Sequence, residues 1–356
     1  RYPKPIISFI FVFLFRQRLR LSYLIFQFRQ MKTLQFREAI AEAMSEEMRR
    51  DESIYLMGEE VAEYDGAYKA SKGMLDEFGP KRVIDTPISE LGFSGIGIGS
   101  AMNGNRPIIE FMTFNFSLVA IDQIINNAAK MRQMSGGQFN IPIVFRGPTA
   151  SAGQLAATHS QAFESWYANC PGLKVVVPSN PADAKGLLKS AIRDDDPVIF
   201  MESEQMYGDK DEVPEGEYLV PLGVADIKRE GKDVTIVSFG KIIKEAYKAA
   251  EKLAEEGIEC EVIDLRTVRP MDHKTILDSV KKTNRLVILE EAWPFGNVAT
   301  EITYQVQSQA FDYLDAPIIK INTADTPAPF SARLLKEWLP NSEDVIKAVK
   351  KVMYLD

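Results

Sequence analysis

Short apolar runs alternate with longer amphipathic stretches along most of this chain. The runs SIYLMG (53–58), RVIDTP (82–87), RPIIEFM (106–112), IPIVFRG (141–147), LKVVVP (173–178) and PVIFME (197–202) share one signature. Each has a core rich in Val, Ile and Phe bounded by Pro or Gly, the mark of a strand buried on both faces. Helix-length segments lie between them at 89–104, 116–135, 160–168 and 181–193. Ahead of them, LQFREAIAEAMSEEMRR (34–50) places Phe36, Ile40, Ala43 and Met44 at helical spacing. This alternation predicts α/β architecture with a parallel, doubly wound sheet.

Residues 203–232 break the pattern. They are polar and rich in turn formers, and they read as a linker with room for one edge strand. The alternation then restarts. DVTIVSFG (233–240), IECEVIDL (258–265), RLVILEE (285–291) and APIIKIN (316–322) are strand-like. KIIKEAYKAAEKLAEEG (241–257) is a helix stopped by Gly257, and NSEDVIKAVKKVM (341–353) is a helix opened by Asn and Ser. The expected division is a first α/β domain over 31–205, a linker over 206–232 and a second, smaller α/β domain over 233–356.

The first thirty residues differ in character. They hold six basic residues and no acid, and the apolar run Ile6 to Phe15 is too short to span a bilayer. They are expected to be an upstream or processed extension outside the fold. The whole chain has 356 residues and a net charge of −8, and the part from Met31 onward carries a net −14. That balance argues against a nucleic-acid partner, which needs a basic face. The two cysteines, Cys170 and Cys260, are far apart and fit neither a disulfide framework nor a metal site, so a reducing, intracellular setting is expected.

The stretch TPISELGFSGIGIG (86–99) raises the question of phosphate binding. A dinucleotide loop needs G-x-G-x-x-G directly after a strand. Here Gly95–Gly97 is followed by Ser100, and Gly97–Gly99 by Met102. The spacing fails, and no phosphate-loop lysine follows. On a helix, Gly92, Gly95 and Gly99 share one face, which lets a neighbour approach the backbone closely. Glu90 then falls in the first helical turn after a strand end, where open parallel sheets collect ligands. Alone, it reads more readily as a complement to the helix dipole. A second acidic strand end, Glu59–Glu60, makes acid–base work or metal binding a real alternative. Phe116 stands at a strand–helix junction where a ring could stack on a flat ligand. His159 lies in a small-residue loop, GPTASAGQLAATHSQAF, of a composition often functional. Asp194 to Asp196 crowd a helix C-terminus, where negative charge needs a bound cation or a basic neighbour.

Taken together, GEEVAEYDGAYK, RVIDTPISELGFSGIGIGSAM, RPIIEFMTFNFS, IVFRGP, HSQAFESWYANCPGLKVVVPSNPADAKGLLKSAIRDDDPVIF and VIDLRTVRPMD cover much of residues 31–356. In them the chain resembles the beta chains of the thiamine-diphosphate-dependent 2-oxoacid dehydrogenases. The likeness is to the pyruvate-oxidising branch, with the branched-chain and acetoin-cleaving branches and a mainly scaffolding subunit as alternatives. The resemblance implies a pyrimidine-binding domain followed by a transketolase C-terminal-like domain. It implies an alpha2beta2 tetramer whose alpha subunit supplies the diphosphate and magnesium site, and a dihydrolipoyl acetyltransferase that takes the acetyl group. Under it, Glu90 is catalytic and hydrogen-bonds a ring nitrogen of the aminopyrimidine, while His159 assists acetyl transfer to the lipoyl group. Glu59, Ile88 and Phe116 join Glu90 around the pyrimidine. The carbonyls of Ile143, Ala191 and Ile192, with Asp194 and Asp196, match a structural potassium site. The expected location is a bacterial cytoplasm, or a mitochondrial matrix if residues 1–30 are a transit peptide, with no membrane span.

Overall fold

The computed structural model describes residues 30–355, so the expectation for residues 1–29 lies outside the described part. Fourteen strands are present among the described residues. The first eight are β1 (Met31–Gln35), β2 (Ile54–Gly58), β3 (Val83–Asp85), β4 (Arg106–Glu110), β5 (Val144–Pro148), β6 (Lys174–Val176), β7 (Val198–Glu202) and β8 (Lys210–Pro214). The others are β9 (Asp226–Arg229), β10 (Val234–Ser238), β11 (Cys260–Asp264), β12 (Thr267–Arg269), β13 (Leu286–Leu289) and β14 (Ile319–Ile321). The helices of ten residues or more are α1 (Phe36–Arg50), α2 (Glu90–Met102), α3 (Pro181–Arg193), α4 (Ile243–Glu255), α5 (His273–Thr283), α6 (Val298–Ala310) and α7 (Ser342–Val352).

Two sheets organise these elements. A seven-stranded sheet runs β12-β6-β7-β5-β4-β2-β3, and a five-stranded sheet runs β14-β13-β10-β11-β9. All pairings are parallel except those of β12 and β9 at the edges. The apolar runs behave as expected of strands covered on both sides, since every residue of β5, β7, β10 and β11 is buried. The two α/β units are not independent bodies. Strand β12 comes from the second unit yet pairs with β6 at the edge of the first sheet. One apolar cluster also joins Ile199 and Met201 of the first sheet to Val237 and Ile263 of the second.

The stretch read as a linker holds two strands. One of them, β8, pairs antiparallel with β1, with Met31 opposite Pro214. MKTLQ and KDEVP are polar and lie about 180 positions apart, so no local period announces the pairing. The expected helix over 116–135 is also broken. A 3₁₀ turn (Phe114–Leu118) gives way to a π turn (Gln123–Ala128) and a short helix (Ala129–Met134). Edge-to-face contacts of Phe114 with Phe111 and Tyr167, at 5.4 and 5.5 Å between centroids, pin the start of this segment.

Helix α3 starts as its sequence prescribes. The Asn180 side chain accepts the Asp183 N–H at 2.9 Å, and Pro181 occupies the first helical position. The helix shares an apolar cluster with α1, Ile40 and Met44 with Leu187 and Leu188, and adds ion pairs to it. Buried Lys185 reaches Glu42 at 2.9 Å and Glu46 at 2.7 Å, and buried Lys189 reaches Glu46 at 2.7 Å. Charges so placed persist only because they are paired. Among the described residues no helix is long and apolar enough to cross a membrane.

Candidate active site

The carboxyl ends of the first sheet are lined with charge. Glu59 follows β2, Asp85 ends β3, Glu110 ends β4, Arg146 lies near the end of β5 and Glu202 ends β7. Glu90 opens α2 just beyond β3 and is buried. Asp85 shapes the neighbouring turn by accepting the N–H groups of Ala62 at 2.7 Å and Glu63 at 3.1 Å. Gly58 is required at this point, because a Cβ there would sit 2.4 Å from the Glu110 carbonyl.

The structure brings Glu59 and Glu90 together. Burial and the neighbouring Glu90 carboxylate push the Glu59 carboxyl up to about 7, against a hydrogen bond from the Met112 N–H. The Glu59 Oε1 has no partner. A buried carboxylate with an unclaimed oxygen beside a second carboxylate is a proton-holding arrangement rather than a structural one.

Phe116 and His159 also meet, edge to face, with ring centroids 5.1 Å apart. Both are half-buried. The His159 Nδ1 lies 3.1 Å from the Thr158 hydroxyl. His159 also bears on Glu204, whose carboxyl is raised by burial against the opposing hydrogen bond from the Tyr68 hydroxyl. Ile88 is different. It is 82% exposed in this chain, and Leu91 and Ile96 of α2 are exposed beside it. The glycines explain the geometry. Gly97 faces inward, where a Cβ would come 2.7 Å from the Ile109 side chain, whereas Gly99 meets nothing. Gly92 and Gly99 thus lie exposed with Leu91 and Ile96, whereas Gly95 is half-buried, its Cβ position 3.4 Å from the Gln123 side chain.

Beneath the carboxylates lies a network that the sequence reading missed. Arg146 is fully buried and donates to both oxygens of Glu202, at 2.7 and 2.6 Å, and to Glu110. The Tyr207 hydroxyl donates to the same Glu202 at 2.7 Å. Burial opposes the guanidinium charge, but Glu110 and Glu202 outweigh it and raise the Arg146 pKa. A signal was available, since Glu110, Arg146 and Glu202 each close an otherwise apolar strand core.

The acidic helix end is answered by basic neighbours. Lys174 donates to both oxygens of Asp194 at 2.6 Å and lies 3.3 Å from Asp196. Arg132 also pairs with Asp196, and Arg106 pairs with Asp195 at 3.0 Å. The three carbonyls expected around potassium already accept N–H groups: Ile143 from Val198, Ala191 from Asp194 and Ile192 from Arg106. Ile143, Ala191, Ile192, Asp194 and Asp196 are thus each engaged by a donor of this chain, with the Lys174 ammonium on the two carboxylates.

Residues 32–210 match the family "Transketolase, pyrimidine binding domain", and residues 223–345 match "Transketolase, C-terminal domain". The pyruvate dehydrogenase E1 component subunit beta of Rhizobium meliloti (strain 1021) is 57% identical over 326 residues, 91% of this chain and 71% of that protein. The Rickettsia felis subunit of the same name is 56% identical, covering 89% of this chain and 98% of its own. The mitochondrial beta-1 subunit of Oryza sativa subsp. japonica is 54% identical, covering 91% and 87%. A solved structure described as a split gene transketolase, inactive beta4 tetramer, superposes with a TM-score of 0.75 at 22% identity. It covers 90% of this chain and 98% of its own, which is a likeness of fold.

Proposed function

The chain belongs to the family of pyruvate dehydrogenase E1 component beta subunits, and we propose that it oxidatively decarboxylates pyruvate together with an alpha subunit. The acetyl group passes to the lipoyl group of a dihydrolipoyl acetyltransferase. The observation that carries the reading is the buried Glu59–Glu90 pair at the carboxyl ends of β2 and β3. The three relatives named above carry the name of pyruvate dehydrogenase.

The residues fit the pyrimidine half of thiamine diphosphate. An acid able to share a proton with a ring nitrogen is at hand, a half-buried aromatic ring lies nearby, and Glu59 keeps an unclaimed oxygen. In this reading the magnesium and diphosphate site belongs to the alpha subunit. Bound thiamine diphosphate would supply the carbanion chemistry that no side chain provides. Glu90 holds or shares the proton at the pyrimidine nitrogen. Glu59, neutral up to about pH 7, spares Glu90 a second buried negative charge. Phe116 and Ile88 would line the pocket that holds the pyrimidine, Ile88 once the alpha subunit covers it. His159 positions or protonates the acceptor during acetyl transfer.

A structural potassium ion at Asp194 and Asp196 would require Lys174 to leave. A melting temperature that rises with potassium over choline, and no longer does so in Asp194→Asn, would restore that role. The compartment in this reading is a bacterial cytoplasm, with the matrix as the counterpart for a mitochondrial chain. The decisive test is reconstitution with an alpha subunit using Glu90→Gln. Removing the ionisable group at constant size is expected to lower turnover at least about a hundredfold. Wild-type turnover in that variant overturns the mechanism.

A further inference from the structure

The loop over residues 149–161 that carries His159 is bound from two sides. Its base closes where the Ala150 N–H meets the Gln161 carbonyl at 2.9 Å. One flank is tied within the first domain, since the Gln161 N–H donates to the Asn115 side chain at 3.0 Å, next to Phe116. The other flank is held by the second domain. The Ser151 N–H donates to Glu291 at 2.8 Å, and the Ser151 carbonyl accepts from Lys241 at 2.5 Å. Lys241 and Glu291 pair with each other at 3.1 Å, and Lys241 also reaches the Gln205 side chain at 3.0 Å. Both backbone polar groups of one residue are thus held by an ion pair that lies after β10 and β13 of the other sheet.

This clamp acts on a strained segment. Ala150 and Ala156 have φ of 61° and 66°, values that a residue with a Cβ seldom adopts. Such a loop keeps its shape only where its surroundings over-determine it. Ser151 and Glu291 are buried, so water does not compete for the two hydrogen bonds. The second Glu291 oxygen has no partner, so the carboxylate's known contacts are this clamp.

We propose that Lys241 and Glu291 are positioning residues for His159, through which the second domain governs acetyl transfer while leaving decarboxylation alone. The inference rests on the proposed function, and its test separates the two. The whole complex, reconstituted with alpha subunit, is assayed twice. One assay follows pyruvate decarboxylation with an artificial electron acceptor, and the other follows reductive acetylation of a lipoyl domain.

Lys241→Met and Glu291→Ala are expected to lower acetylation about tenfold, as a fall in kcat at unchanged KM for the lipoyl domain. Decarboxylation should stay within twofold. Lys241→Arg, which keeps several donors, should recover most of the loss. In a His159→Ala background the same changes should cost nothing further, because their effect runs through that ring. Equal losses in both assays, no loss in either, or additive losses on His159→Ala would each overturn the inference. Should Glu291→Ala fail to assemble, Lys241→Met decides it. A wild-type complex that performs neither reaction would overturn the functional reading first, and this inference with it.

Discussion

Both sheets place carboxylates at the carboxyl ends of their central strands, but to different ends. In the second sheet, Glu290 and Asp264 have both oxygens taken by the fold, whereas Glu291 keeps one free. Glu290, just after β13, accepts the N–H groups of Val298 and Ala299 at 3.2 and 2.9 Å, at the start of α6. Burial pushes its carboxyl up to about 7 against those bonds. Asp264, at the end of β11, accepts from the Ser179 hydroxyl and from the Arg266 N–H at 3.0 Å. In the first sheet, Glu59 confronts Glu90 and keeps an oxygen free. Strand-end position and a raised pKa are common to both sheets. What sets the first sheet apart is that two buried carboxylates face each other there with an oxygen unclaimed, whereas Glu290 and Asp264 are each met by donors of the fold.

The largest effect is expected where the first sheet's acids rest on Arg146. Arg146→Met leaves Glu110 and Glu202 buried without their cation, and should cost roughly 3–5 kcal/mol in urea unfolding. A loss under about 1 kcal/mol would mean the network is not what lets this sheet end carry so much charge.

The contrast itself is tested by paired substitutions. Glu90→Gln should lower turnover of the reconstituted enzyme at least about a hundredfold. Glu290→Gln should leave turnover within about twofold and cost about 1 kcal/mol of stability through a weakened hydrogen bond. Similar kinetic losses in both would erase the distinction.

Between the sheets lies Glu164, fully buried, whose carboxyl is raised by burial to about 8. The folded chain holds that proton to about pH 8, whereas the unfolded chain releases it near its ordinary value of 4.5. The native state therefore binds more protons between those limits, and stability falls as pH rises through the window. Glu164→Gln should flatten the decline by roughly 1 kcal/mol or more across pH 5–8, read from denaturation at several pH values. An unchanged slope would assign the decline to Glu59 and Glu290, which shift the same way.

The smallest effect probes the outward face of α2. Gly99→Ala meets no atom of this chain and should stabilise the isolated subunit by up to about 1 kcal/mol. Assembly with the alpha subunit should weaken if that subunit packs on the glycine face. Unaltered assembly would move the contact elsewhere.

Much of this was readable along the chain. Glu90 could be found because its cues are adjacent: a strand, a Thr–Pro turn and a helix start within ten positions. The runs that became β2, β4, β5 and β7 carry their burial in their own composition. Ile88 shows where such reading stops, since its neighbours in the chain say nothing of what will cover it. The Asp194–Asp196 run asked for a cation, but which cation was not a local matter; Lys174 lies twenty positions away from Asp194.

Local periodicity and turn chemistry dictated the α/β alternation, the helix caps and the acid beside the glycine run, because those forces act between near neighbours. Which carboxylates are neutralised and which stay unclaimed was settled by folding. Arg146 meets Glu202 across 56 positions, and Ser151 meets Glu291 across 140. Contacts of that span leave no mark on spacing, and in a dry interior they determine which acids can keep a proton.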